Sequence, residues 1–271
     1  MTRIVLLTHA VLIGLTPLIP LPILDDLIRA YFYRGLVRAL AQAHGLDLSA
    51  DEIAALAEEP GRGCLPGCLL GTGEYLVKRL VRKLVFVLEW RRAISLVTHT
   101  YYVGHLLDYA FAQGWYTPGS AGRLRLALDH ARRGADTALV RQVVMTSFQQ
   151  SRALLQGAVQ QLTQGLDRRA FGPTRLWLRR NIAARLRRRS PSLARWLYRF
   201  WRPGAAAGDL TTAEANLAET LERTTPGVNA SLREFIERLG ADLAQLPLDH
   251  FDSLQTRLAA ALQAPGPAAA P

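Results

Sequence analysis

Apolar residues recur at intervals of three and four almost from end to end of this chain, and no run alternates with period two between hairpin-type turns. A period near 3.6 lines side chains along one face of a helix, whereas period two lines them along one face of a strand. The expected fold is therefore all-α, a multi-helix bundle. Leu27, Ile28, Tyr31, Phe32, Leu36, Val37 and Leu40 form one stripe, preceded by Asp25 and Asp26 where a helix start favours negative charge and closed by Gly45. Ser49 and Glu52 have the capping-box spacing for a short helix to about Glu58. Residues 75 to about 111 lack proline, and Leu76, Val77, Leu80, Val81, Leu84, Val85 and Leu88 lie opposite Lys78, Arg79, Arg82 and Lys83. One long helix, or two joined near Arg91, is the reading there. After a turn-rich break at 115–122, a helical stretch is expected from Arg123 to about Leu166, interrupted near Gly134. Thr212, Ser231 and Asp249 read as starts of helices ending near Arg223, Leu246 and Gln263, with Pro226 and Pro247 as separators.

The N-terminus bears on whether the chain enters a membrane. No formally charged residue occurs from Ile4 to Leu24, a length that matches a bilayer span of about 20 residues. Pro17, Pro20 and Pro22 each remove a backbone donor, however, so a regular helix is expected only over residues 3–16. Such a helix is roughly 20 Å long, against a hydrocarbon core of roughly 30 Å. A cleaved leader is disfavoured because no small-x-small site follows the apolar run. Two readings stay open: a helix buried in the protein core, or a segment that dips into one leaflet and returns at the prolines, covered there by other protein. Residues 93–116 are a second apolar and aromatic stretch, but His99, His105 and Asp108 interrupt it and favour a core helix.

Charge is distributed unevenly. Residues 1–167 carry 17 basic and 13 acidic side chains, residues 168–202 carry twelve arginines and no acid, and residues 203–271 carry four arginines against nine carboxylates. Nearly all the excess of +11 thus lies in one short segment. Only Lys78 and Lys83 are lysines, an arginine bias that a GC-rich bacterial genome would produce without any functional cause.

Within that segment Ser190-Pro191 signals a helix start, and Leu193, Trp196, Leu197, Phe200 and Trp201 then fall at helical spacing, with Arg195, Arg199 and Arg202 on other faces. Just before it, Leu178, Ile182 and Leu186 form a narrower stripe among Arg175, Arg179, Arg180, Arg187, Arg188 and Arg189, with Trp177 alongside. Tryptophan on one side and arginine on the other suit a helix lying in the headgroup layer of an anionic membrane. Nucleic acid is the alternative partner, because phosphates recruit the same arginines without needing an aromatic stripe. A helix packed on the protein's own core with merely solvated arginines is the third possibility.

Thr16-Pro17-Leu18-Ile19-Pro20-Leu21-Pro22, followed by Asp25-Asp26, a helix, and His44-Gly45-Leu46-Asp47-Leu48-Ser49, resembles the bacterial domain of unknown function typified by YcjF-type inner-membrane proteins. The similarity covers residues 10–60 and extends to the helix over 123–155. It implies association with the bacterial inner membrane. Family members are often joined to GTPase domains, but this chain lacks the Gly-x-x-x-x-Gly-Lys-Ser/Thr loop that nucleotide chemistry requires.

Other constellations carry less. Cys64 and Cys68 are the only cysteines and lack the second pair of ligands a tetrahedral metal site needs. The glycines at 61, 63, 67, 71 and 73 have no strand-then-helix context, so a hinge is the expected use. His105 and Asp108, three apart on one helix face, suit a hydrogen-bonded pair, but no nucleophile motif accompanies them. No catalytic site, cofactor or metal is therefore expected. The organisation expected is an apolar helical membrane-associating domain over 1–166, the arginine-rich segment over 167–204, an acidic helical part over 205–263 able to meet a protein partner, and a disordered Pro/Ala tail over 264–271. The function expected is that of a scaffold or interaction protein at the cytoplasmic face of the bacterial inner membrane, bound to anionic lipids.

Overall fold

A computed structural model describes residues 2–19, 24–57, 82–133, 135–166 and 210–263. Among these residues there are nine α-helices and no strand, so the all-α expectation holds. In chain order they are α1 (Thr2–Leu15), α2 (Leu24–Ala43), α3 (Ala50–Ala57), α4 (Arg82–Ala112), α5 (Ala121–Arg132), α6 (Ala138–Gln150), α7 (Arg152–Gly165), α8 (Leu210–Ala244) and α9 (Asp252–Gln263). They fall into two compact units, one made of residues 1–155 and 232–271 and the other of residues 156–231. Residues 232–263, which charge alone groups with a separate acidic part, thus lie in the first unit.

The first unit is built around α1. Leu6, Leu7 and every residue from Ala10 to Leu15 are buried, and α1 packs on both α2 and α4. The apolar N-terminal helix is thus covered by the protein over its C-terminal half. Pro17 acts as expected: α1 stops at Leu15, a single 3-10 turn over Thr16–Leu18 carries Pro17 near its start, and the Thr16 hydroxyl donates to the Ile13 carbonyl at 2.8 Å. Two glycines let α1 and α4 approach closely. A Cβ on Gly14 would lie 2.2 Å from Val97 Cγ2, and one on Gly104 would lie 2.1 Å from Leu6 Cδ1. Among the described residues no helix is long and apolar enough to cross a membrane.

The remaining helices of this unit are tied to that pair. Gly45 ends α2 at φ 68°, with Leu46 N–H donating to Ala41 O and Gly45 N–H to Gln42 O, the paired bonds of a left-handed helix stop. The capping box at α3 forms as its spacing predicts: Glu52 N–H donates to Ser49 Oγ at 3.3 Å, and Ser49 N–H returns a bond to Glu52 Oε2 at 3.0 Å. α4 is one continuous helix rather than two. The stretch expected from Arg123 to Leu166 is broken after Arg132, near the position anticipated, and again at Ser151, which lies between α6 and α7 at φ −106° and ψ 22°. α9 packs against α5 and α4. The end of α8 brings Phe235 edge-on to Phe148 of α6 at 5.6 Å and Asp242 Oδ2 to the Ser147 hydroxyl at 3.0 Å.

The second unit pairs α7 with α8 in antiparallel fashion. Gly165 faces Thr224, while further along Ser231 Oγ donates to Gln161 Oε1 at 3.0 Å. Ala158, Leu162 and Leu166 are buried on one helix, and Leu217, Leu221 and Val228 on the other.

The separator expected at Pro226 is corrected: α8 runs through it from Leu210 to Ala244. An interior proline costs about 3 kcal/mol, whereas full burial of one leucine contributes about 1.5–3 kcal/mol. The buried stripe Leu217, Leu221, Val228, Leu232, Phe235, Leu239, Leu243 continues on both sides of the proline and outweighs it. Ser231 is accordingly a mid-helix residue, bonded to the Gly227 carbonyl at 3.2 Å instead of capping a helix start. The last helix begins at Asp252, later than the Asp249 start expected, because a 3-10 turn over Leu248–Phe251 precedes it.

Candidate functional site

The residues singled out from the sequence, Arg175, Trp177, Arg179, Arg180, Arg187, Arg188, Arg189, Arg195, Trp196, Arg199, Phe200 and Trp201, lie outside the described residues, as do Cys64, Cys68 and the tail over 264–271. The structure does give the attachment of the basic segment to the fold. It connects α7 to α8, the antiparallel pair of the second unit. The acidic residues that follow are partly neutralised within their own helix: Glu219 pairs with Arg223, and Glu234 with Arg238 at 2.7 Å. These are exposed one-turn pairs of the kind that contribute only a few tenths of a kcal/mol.

Polar chemistry in the first unit gathers on α4. His44, at the end of α2, meets Asp108 Oδ1 through Nε2 at 2.7 Å, so the partner of Asp108 is His44 and not His105 as its spacing suggested. The reason is register: the end of α2 lies against the Asp108 turn of α4, and the His44 ring also meets Phe111 edge-on at 6.3 Å. Both side chains are partly exposed, at 22% and 31%. On another face of α4 the Tyr33 hydroxyl lies 2.9 Å from Thr100 Oγ1 and 3.2 Å from His99 Nδ1. His9 of α1 is bonded to the Val5 carbonyl, and burial lowers its pKa below the ordinary imidazole value.

A third polar face meets the C-terminal segment. The buried Tyr102 hydroxyl donates to the Asp136 carbonyl at 2.9 Å and lies 2.7 Å from His250 Nε2. With the tyrosine proton committed to the carbonyl, Nε2 is the donor to the phenol oxygen. Burial raises the Tyr102 pKa, and the neighbouring Asp136 carboxylate adds to the rise. His105 lies against Phe251 with ring centres 4.2 Å apart.

Glu52 is a junction that the sequence revealed only in part. Oε1 accepts the Gly119 N–H at 2.8 Å and the Tyr116 hydroxyl, while Oε2 accepts from Ser49. These donors, Gly119 first, hold its pKa at about 2, and burial with the carboxylate bond pushes Tyr116 up to about 12. The Ser49/Glu52 spacing announces the cap. Nothing local announces the turn 67 residues later that shares it.

Between α5 and α9 a shallow groove of about 270 Å³ is lined by Trp115, Thr117, Leu124, Ala259 and Leu262, with Arg123 bonded across it to the Leu262 carbonyl. Among the described residues no three His, Cys, Asp or Glu side chains are grouped to hold a metal ion. Comparison with protein-family models, curated proteins and solved structures finds no match for this chain.

Proposed function

We propose that this chain is a helical scaffold that binds the anionic surface of a membrane through residues 168–202, at the cytoplasmic face of a bacterial inner membrane. The observation that carries the reading is the burial of the C-terminal half of α1, with Ala10, Val11, Ile13 and Leu15 all at 0% exposure. Residues 10–17 of the longest uncharged segment are buried in the protein, and the segment with twelve arginines, no acid and the Trp/Phe stripe is the better candidate for attachment to lipid. The resemblance to YcjF-type inner-membrane domains supports the same location.

Magnitudes assign the work within the segment. A basic residue near an anionic surface contributes about 1 kcal/mol, so the three arginines of the stretch 191–202 supply about 3 kcal/mol. Micromolar binding needs about 8 kcal/mol, and for the stretch 191–202 to reach it burial of Trp196, Phe200 and Trp201 has to supply the remainder, with the nine arginines of 168–190 adding to it. Flotation of the full chain on anionic and on zwitterionic vesicles tests the reading, beside titration of a DNA duplex at the same salt. Flotation on anionic vesicles alone is expected. Duplex binding that falls steeply with salt, without flotation, would overturn the reading in favour of nucleic acid.

A further inference from the structure

We propose that the seam between α4 and the C-terminal segment Leu248–Gln263 is an acid-sensitive clasp in which protonation of His105 loosens the attachment of that segment to α4. The inference is independent of membrane binding and rests on contacts within the first unit.

Phe251 is the centre of the seam. Its ring lies 4.2 Å from His105, 4.9 Å from His250, 5.6 Å from Tyr102 and 6.0 Å from Tyr101, centre to centre. α9 itself has two buried apolar side chains, Leu254 and Leu258, and packs mainly on α5, so the aromatic cluster at Phe251 is what ties this segment to α4. The cluster is built around a neutral imidazole. His105 stacks with Tyr101 at 6.4 Å, and the Gln255 side-chain amide, of α9, lies 3.5 Å from Nε2.

A proton on His105 would place charge in a site poorly suited to it. Burial opposes the charged form most strongly; Arg3 of α1 and His250 of the 3-10 turn oppose it too, while Asp108 on α4 favours it. The Asp108 carboxylate is already engaged by His44 at 2.7 Å. The balance holds the His105 pKa below the ordinary imidazole value. His250 differs in its contacts: its Nε2 lies 2.7 Å from the Tyr102 hydroxyl, which itself donates to the Asp136 carbonyl. His105 is therefore the sensing residue.

The sign follows from linkage. A base with a depressed folded pKa leaves the native state with fewer protons than the released state, so the clasp is intact above about pH 6.5 and weakens as pH falls from there toward the folded pKa. Hydrogen exchange on the full chain at pH 7.5 and 5.5, corrected for intrinsic rates, reads this directly. Helix α6, which contains no histidine, is the internal reference. Protection of Asp252–Gln263 should fall about tenfold relative to α6 at pH 5.5, and the fall should disappear in His105→Phe, which keeps a stacking ring but cannot ionise. His105→Gln, smaller and also neutral at both pH values, provides the same comparison should phenylalanine not fit. Parallel changes in α9 and α6, or an acid loss that persists in these variants, would overturn the proposal. So would an acid loss abolished only by His250→Gln, which would place the sensor on the other imidazole.

Discussion

Replacing Leu12 by alanine separates a core helix from a lipid-dipping one, because the two uses of α1 place the cost in different observables. Leu12 is 1% exposed, so all of its apolar surface is out of water. The change removes three carbon groups at about 0.8 kcal/mol each, and the surrounding helices cannot fully close the space left. Gly14 and Gly104 already bring α1 and α4 as near as side chains allow, which leaves little room for collapse. The expected loss is about 3 kcal/mol. For a body of about 150–250 residues that corresponds to a melting temperature lower by about 6–12 °C. Ile4, on the same helix but 58% exposed, is the control, and Ile4→Ala should change stability by less than about 0.5 kcal/mol. Thermal and urea unfolding followed by circular dichroism, without lipid, measure both variants. An unchanged melting curve for Leu12→Ala together with weaker vesicle binding would refute the core assignment.

Gly104→Ala should destabilise by about 1–3 kcal/mol because its Cβ meets Leu6 Cδ1, whereas Gly157→Ala, with open space around its Cβ inside α7, should stabilise by about 0.5–1 kcal/mol; urea midpoints compare them. Pro226→Ala should raise stability by up to about 3 kcal/mol, and an unchanged midpoint would mean that α8 is not helical through that position. Glu52→Gln should lower the melting temperature at neutral pH. Its folded pKa of about 2 lies below the ordinary 4.5, so the carboxylate's contribution is complete above about pH 5 and is lost as pH falls through 2. The gap between wild type and variant should shrink over that window, and a gap constant with pH would contradict the assigned hydrogen bonds.

What the sequence disclosed is what local physics controls. Pro17 ends α1 at Leu15, Gly45 supplies the positive φ that stops α2, and Ser49 with Glu52 starts α3, each through bonds within six residues along the chain. The failures arise where a distant partner decides. Pro226 is tolerated because the buried stripe on both sides outweighs its local cost, and the break at Ser151 has no glycine or proline to mark it. Asp108 finds His44 across 64 residues, and Tyr102 finds His250 across 148, pairings that no helical spacing encodes. The basic segment was legible as composition and as a stripe, and composition suits lipid phosphates and nucleic-acid phosphates alike.

The measurement that bears most directly on the proposed function is flotation on anionic vesicles of a variant with Trp196, Phe200 and Trp201 replaced by alanine and every arginine kept. If aromatic insertion anchors the segment, this variant should lose most of its vesicle binding while its melting curve and duplex affinity stay unchanged. A stably folded variant that floats as well as the wild type would contradict the account.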